Sequence, residues 1–160
     1  MRTEFGWERM SCSCKICVAN CRHMPGYLIP ADLDRMIPPG VDPFTWAEQN
    51  LLASPGAIIK SSRTGQLRRV PTLVLATKPD GSCINLTPDD RCSIHENAPF
   101  GCAFFDCKIS RREANDLSAR GVREIMAANV NSLYHRIWRR LNRLGKVSPA
   151  PEEKRKVFAQ

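Results

Sequence analysis

Eight cysteines set the chemistry open to this chain. They fall into two groups of four, Cys12, Cys14, Cys17 and Cys21 early in the sequence and Cys83, Cys92, Cys102 and Cys107 later, within 160 residues. Zinc and iron–sulfur clusters both take cysteine thiolates, typically four to a site, so the count makes two sets for either. Cys14-x2-Cys17 has the spacing of a turn whose sulfurs converge on one ion, and Cys17-x3-Cys21 that of one helical turn with both sulfurs on one side. Cys12 and Cys14 would point oppositely on an extended backbone, so either this loop is irregular or the two serve different metals. All eight are expected metal ligands, in one centre or two.

Familiar thiolate patterns do not fit. The early run is one residue short of the bacterial ferredoxin spacing, and Arg22 stands where that run has proline. No C-x2-C pair recurs in the second group, as a zinc finger would need. No phosphate-cradling glycine loop or paired catalytic carboxylates occur.

Metal ligation suits a reducing compartment. Residues 1–10 hold Glu4 and Glu8 and no continuous apolar stretch, unlike a secretory signal, and no run of about 18 apolar residues occurs anywhere. The expected location is cytoplasmic, without a membrane span. There thiols stay reduced, and clustered cysteines serve as ligands rather than as four disulfides. The net charge of +8 points to an anionic partner, although eight thiolates around two divalent ions would halve it.

The elements that must position these sulfurs are short. Pro30 followed by Asp32 and Asp34 reads as a helix over 30–37, stopped by Pro38-Pro39-Gly40, and Asp42 caps a second over 43–53 that Ser54-Pro55-Gly56 ends. β-branched runs at 57–60 and 70–77 form a hairpin around Arg63-Thr64-Gly65, and residues 82–86 return as a third strand. Residues 87–107 are irregular, with metal expected to fix their backbone. Ser110 and Glu113 fit a capping box. From Val122 apolar residues recur at helical spacing up to Leu144, with Gly145 as the C-terminal cap.

The second group, Cys83-x8-Cys92-Ser93-Ile94-His95 and then Pro99-x2-Cys102-x2-Phe105, together with the early cluster followed by Pro25-Gly26, resembles the YkgJ-like cysteine-cluster family. That family is described as zinc- or iron-chelating, and the resemblance covers residues 12–107. The chain departs from the family pattern at Cys17-x3-Cys21, where the family has an adjacent pair, and at Asn97-Ala98-Pro99, where it has Arg-Pro. Some relatives, such as flagellin lysine methylases, are thought to carry an iron–sulfur cluster, which implies a redox or group-transfer enzyme as one outcome.

The expected fold is therefore a small α+β domain over 1–145: a short hairpin sheet, short helices around cysteine-bound metal, and a long amphipathic helix over 118–145. Residues 146–160 form a flexible tail. The core is expected to be thin, with metal supplying what it lacks, and Phe100, Phe104 and Phe105 excluding water from the sulfurs. His95 and His23 lie close to cysteines and are read as supporting residues beside a complete thiolate set. Arg136, Arg139, Arg140 and Arg143 form a basic face that suits nucleic acid or an acidic protein, or else a solvated helix surface. Two function classes follow: a zinc-stapled binding module and an iron–sulfur protein doing redox or group-transfer chemistry.

Overall fold

A computed structural model describes residues 14–60 and 63–150. The chain is a small α+β domain whose sheet has three antiparallel strands, β1 (Tyr27–Leu28), β2 (Leu51–Lys60) and β3 (Leu67–Leu75), in the order β1-β3-β2. The expected hairpin is β2–β3, with Lys60 opposite Leu67 and Leu51 opposite Leu75. β2 starts earlier than the sequence suggested. Ser54-Pro55-Gly56, read as a helix stop, is instead a bulge inside the strand, where Pro55 costs no ladder bond and Gly56 takes φ +76°. A Cβ on Gly56 would lie 1.6 Å from the Val70 carbonyl oxygen.

The third strand is also not the expected one. Residues 82–86 make only isolated bridges, Thr77 to Cys83 and Leu86 to Cys92, and the place beside β3 belongs to Tyr27–Leu28. Two residues show no alternation, so this strand has no signature in the sequence.

Among the described residues six α-helices accompany the sheet: α1 (Lys15–His23), α2 (Pro30–Met36), α3 (Pro43–Asn50), α4 (Phe100–Ala103), α5 (Arg111–Ala127) and α6 (Leu133–Arg143). Proline opens α2 and α3, and Asp42 accepts the Thr45 N–H at 2.8 Å to cap α3. The capping box of α5 is present, with Glu113 N–H to Ser110 Oγ at 3.2 Å and Ser110 N–H to Glu113 Oε2 at 3.0 Å. The helix expected over 118–145 is two helices. Residues 128–132 break it, because Asn129 Oδ1 accepts the Asn131 N–H at 2.8 Å and Ser132 starts α6 afresh. Met126 and Val130 kept the apolar spacing across the break, yet both side chains are exposed. Gly145, at φ +70°, closes α6 as expected.

The core is continuous rather than thin. Leu28, Leu51, Leu73 and Leu75 from the sheet meet Leu33 of α2, Phe100 and Phe104, Leu117 and Ile125 of α5, and Tyr134, Ile137 and Leu141 of α6. Tyr134 enters the β1–β3 ladder itself, donating to the Leu28 carbonyl at 2.7 Å and accepting the Leu73 N–H at 2.9 Å. Of the early cysteines described, Cys21 packs against this core and is partly buried. The tail, expected to be mobile from 146, is held at its start: Lys146 O accepts the Ala53 N–H at 2.9 Å, and Ser148 N–H donates to Ala53 O at 2.8 Å. Residues 151–160 lie outside the described residues, as do residues 1–13 with Cys12. No helix among the described residues is long and apolar enough to cross a membrane.

Candidate metal centre

α1 carries three of the cysteines. Cys14 is its N-cap residue, whose carbonyl accepts the Val18 N–H at 3.0 Å, and the three- and four-residue spacing of Cys14, Cys17 and Cys21 puts them on neighbouring positions of one helix face. α1 buries no residue fully. Val18 and Cys21 pack partly buried against the core, the Cys83 N–H donates to the Cys21 carbonyl at 2.7 Å, and Arg22 pairs with Asp90.

The sulfurs regroup across the two sequence clusters. Cys107 joins Cys14 and Cys17, and these are the three ligand-type side chains among the described residues whose donor atoms all lie within 4.8 Å of one another. Cys14 Sγ is 3.5 Å from Cys107 Sγ, and the Cys107 N–H donates to Cys17 Sγ at 3.3 Å. Asp106 shapes this loop by accepting the N–H groups of Lys108 at 2.8 Å and Ile109 at 3.1 Å. A ZnS4 tetrahedron with Zn–S bonds of about 2.3 Å has sulfurs roughly 3.8 Å apart, so the triad can hold a metal ion. None of the seven described cysteines is in a disulfide.

Cys21 goes the other way, to Cys83, Cys92 and Cys102. These four line one cavity of ≈ 540 Å³, with Cys17, His95, Asp90, Arg91 and Phe105 among its other walls. The thiols act on one another. Cys21 is pushed up to about 11 by burial and then by Cys83 and Cys92. Burial also raises Cys83, against hydrogen bonds from the Asn85 backbone and side chain to its sulfur, and Cys92 raises it further. Cys102 is raised by burial and next by Cys83, opposed by the Gly26 N–H. Thiols that resist ionising alone, yet receive N–H donors at sulfur, suit a cation that displaces their protons.

No protein-family model, curated protein or solved structure matches this chain.

The loop that carries Cys83 and Cys92 makes hydrogen bonds of its own. Asp80 Oδ1 accepts the Ser82 N–H at 3.0 Å, Thr87 and Arg91 exchange backbone and hydroxyl bonds, and the Ser93 N–H reaches Asn85 O at 2.9 Å. Asp90 sits at φ 60°, the one non-glycine residue with positive φ among those described. Cys102 is placed by backbone contact. A Cβ on Gly26 would lie 2.4 Å from Cys102 Sγ and 2.4 Å from the Gly101 carbonyl carbon, and one on Gly101 would meet Tyr27 N at 2.4 Å. The pair Gly26 and Gly101 therefore lets two backbones meet directly in front of the sulfur. Sequence reading singled out Pro25-Gly26 as a motif but missed Gly101 and Asn85, whose roles depend on contacts far along the chain.

His95 is exposed at the cavity rim, and His23 is exposed at the end of α1 without lining the cavity. Phe100 and Phe104 are fully buried, their rings 5.5 Å apart, and Phe105 reaches the cavity wall. The basic face of α6 has work inside the fold: Arg136 and Arg140 lie over the Phe44 ring at 5.1 and 5.6 Å, Arg140 also pairs with Glu48, and Arg139 donates to Val130 O at 2.7 Å.

Proposed function

We propose that this chain is a metalloprotein with two thiolate centres, a single zinc ion at Cys14, Cys17 and Cys107 and an iron–sulfur cluster at Cys21, Cys83, Cys92 and Cys102. The observation that carries it is the convergence within 4.8 Å of the Cys14 and Cys17 sulfurs with that of Cys107, 93 and 90 residues later. Cys12, two residues before Cys14, is the sequence candidate for a fourth zinc ligand. The cluster assignment is supported by four cysteines around one cavity and by N–H donors at Cys83 and Cys102. The motif resemblance to the YkgJ-like family points the same way.

A second reading, an enzyme whose cluster meets substrate, is favoured by the volume of the cavity, which lies in the range of small-molecule sites, roughly 300–1,000 Å³. Electron or group transfer would be the chemistry that the cluster supplies, and the cavity walls would orient the substrate.

Elemental analysis, acid-labile sulfide and an absorption spectrum of protein purified without oxygen test the proposal. The expected result is a brown protein with iron, sulfide and about one zinc per chain, in which Cys14→Ser loses zinc and Cys83→Ser loses iron. Zinc alone would overturn the cluster, and protein that binds neither metal when reconstituted would overturn both centres.

A further inference from the structure

The seven described sulfurs are not equally reachable. Cys14 and Cys107 are exposed, Cys17, Cys21, Cys92 and Cys102 are half-buried, and Cys83 is buried. The two exposed cysteines are also the two whose sulfurs touch, at 3.5 Å, although 93 residues separate them. Closing that gap to a disulfide of about 2.05 Å needs about 1.5 Å of movement, well within side-chain rotation for exposed residues. Their neighbour Cys17 is half-buried, and its sulfur accepts the Cys107 N–H at 3.3 Å.

From this geometry we infer that Cys14 and Cys107 are a peroxide-oxidisable pair, a site of reversible disulfide formation that ties α1 to the loop preceding α5 and discharges the metal of the exposed centre. The substrate is hydrogen peroxide. One thiolate attacks the distal peroxide oxygen, so that the S–O bond forms as the O–O bond breaks and hydroxide leaves, taking a proton to become water. The second thiolate then attacks the sulfenic sulfur, the S–S bond forms, and the oxygen leaves as a second water. Two sulfurs together lose two electrons and the peroxide gains them; with metal bound, two solvent protons complete the two waters and the divalent ion departs with its charge unchanged. A thiol donor reverses the step by exchange. The other quartet is less exposed than this pair, with Cys83 buried and Cys21, Cys92 and Cys102 half-buried, so the pair reacts first.

Metal discharge rests on the zinc reading of the triad; disulfide formation does not. The test treats the full chain, purified with its metals, with one equivalent of hydrogen peroxide, blocks remaining thiols with N-ethylmaleimide, and reads tryptic peptides by mass spectrometry while a chromophoric chelator reports released zinc. The expected product joins peptide 10–15 to peptide 92–108 through Cys14 and Cys107, disappears on reduction, and accompanies release of about one equivalent of zinc. Fragmentation distinguishes Cys14 from Cys12, and Cys107 from Cys92 and Cys102. Since wild-type protein gives this result, the inference does not depend on a variant folding; Cys107→Ser, checked by circular dichroism, should abolish the link. A link through Cys12, sulfinic acid at either residue without a link, earlier oxidation of the quartet, or no reaction would each overturn it. If the link forms in protein that has never bound zinc, the pair stands and the zinc reading fails; if zinc-loaded protein resists peroxide, the zinc reading stands and the pair fails.

Discussion

The carboxylate of Asp32, with no solvent exposure, accepts the backbone N–H of Phe100 at 2.9 Å while the same oxygen holds the Ile29 N–H at 2.8 Å and its other oxygen pairs with Arg35. It fastens the start of α2 to the start of α4, two residues ahead of Cys102. Asp32→Ala leaves two buried N–H groups and a cation without their acceptor and should cost about 3 kcal/mol. Urea denaturation at pH 7 measures it. A loss below about 1 kcal/mol would show that water replaces the carboxylate.

Gly26→Ala puts a methyl where Cys102 Sγ and the Gly101 backbone already are. The expected effect is selective: metal affinity of the quartet falls about 10- to 100-fold, as for other changes that displace a ligand's support, while the Cys14–Cys17–Cys107 centre keeps its metal. Chelator competition on the variant reads both. Equal weakening of both centres would contradict the separation of the two sites.

Removal of metal should loosen part of the molecule only. α1 buries nothing fully, and Cys107 belongs to an exposed loop, whereas α5, α6 and the sheet share the apolar core. Hydrogen exchange of demetallated protein should therefore lose protection over α1 and residues 106–110 and keep it at Leu73, Ile125 and Ile137. Global loss of protection would mean that metal completes the core after all.

Acid should act through the caps. The Thr45 backbone and hydroxyl hold Asp42 below the usual carboxylate range, and the Ser110 hydroxyl and N–H do the same for Glu113. A carboxyl lowered by folding contributes stability above its unfolded value, 3.8 for Asp42 and 4.5 for Glu113, and that contribution is lost as pH falls through the lower folded value. Helicity followed from pH 6 down to pH 2.5 should thus fall less steeply in the pair Asp42→Asn with Glu113→Gln than in the wild type, starting from lower stability. Identical curves would remove the caps from the acid response.

Where a signal is local, the sequence carries it. Pro30, Pro43, Asp42 and the Ser110–Glu113 box mark helix starts correctly because a cap is decided within four residues, and the β2–β3 hairpin shows in its own β-branched runs. The α5–α6 break escaped because Val130 keeps the apolar period while Asn129 and Asn131 undo the helix. For the site, residue type was legible and grouping was not. Spacing along the chain sets Cys21 with Cys17, but Cys21 sits one turn further along α1 and meets Cys83, while Cys107 returns to Cys14. Asp32 is read from sequence as a helix-start acid; only the arrival of Phe100, 68 residues later, makes it a clamp.

That interleaving has a consequence in time. At the usual pace of synthesis, about 5–20 residues per second, Cys107 leaves the ribosome roughly 5–20 s after Cys14, and Cys83 several seconds after Cys21. Through that interval the early sulfurs have none of their later partners. On the two-centre reading proposed above, an ion taken up then is held by neighbours in sequence and changes ligands as the chain is finished, so biogenesis becomes a matter of ligand exchange as well as folding.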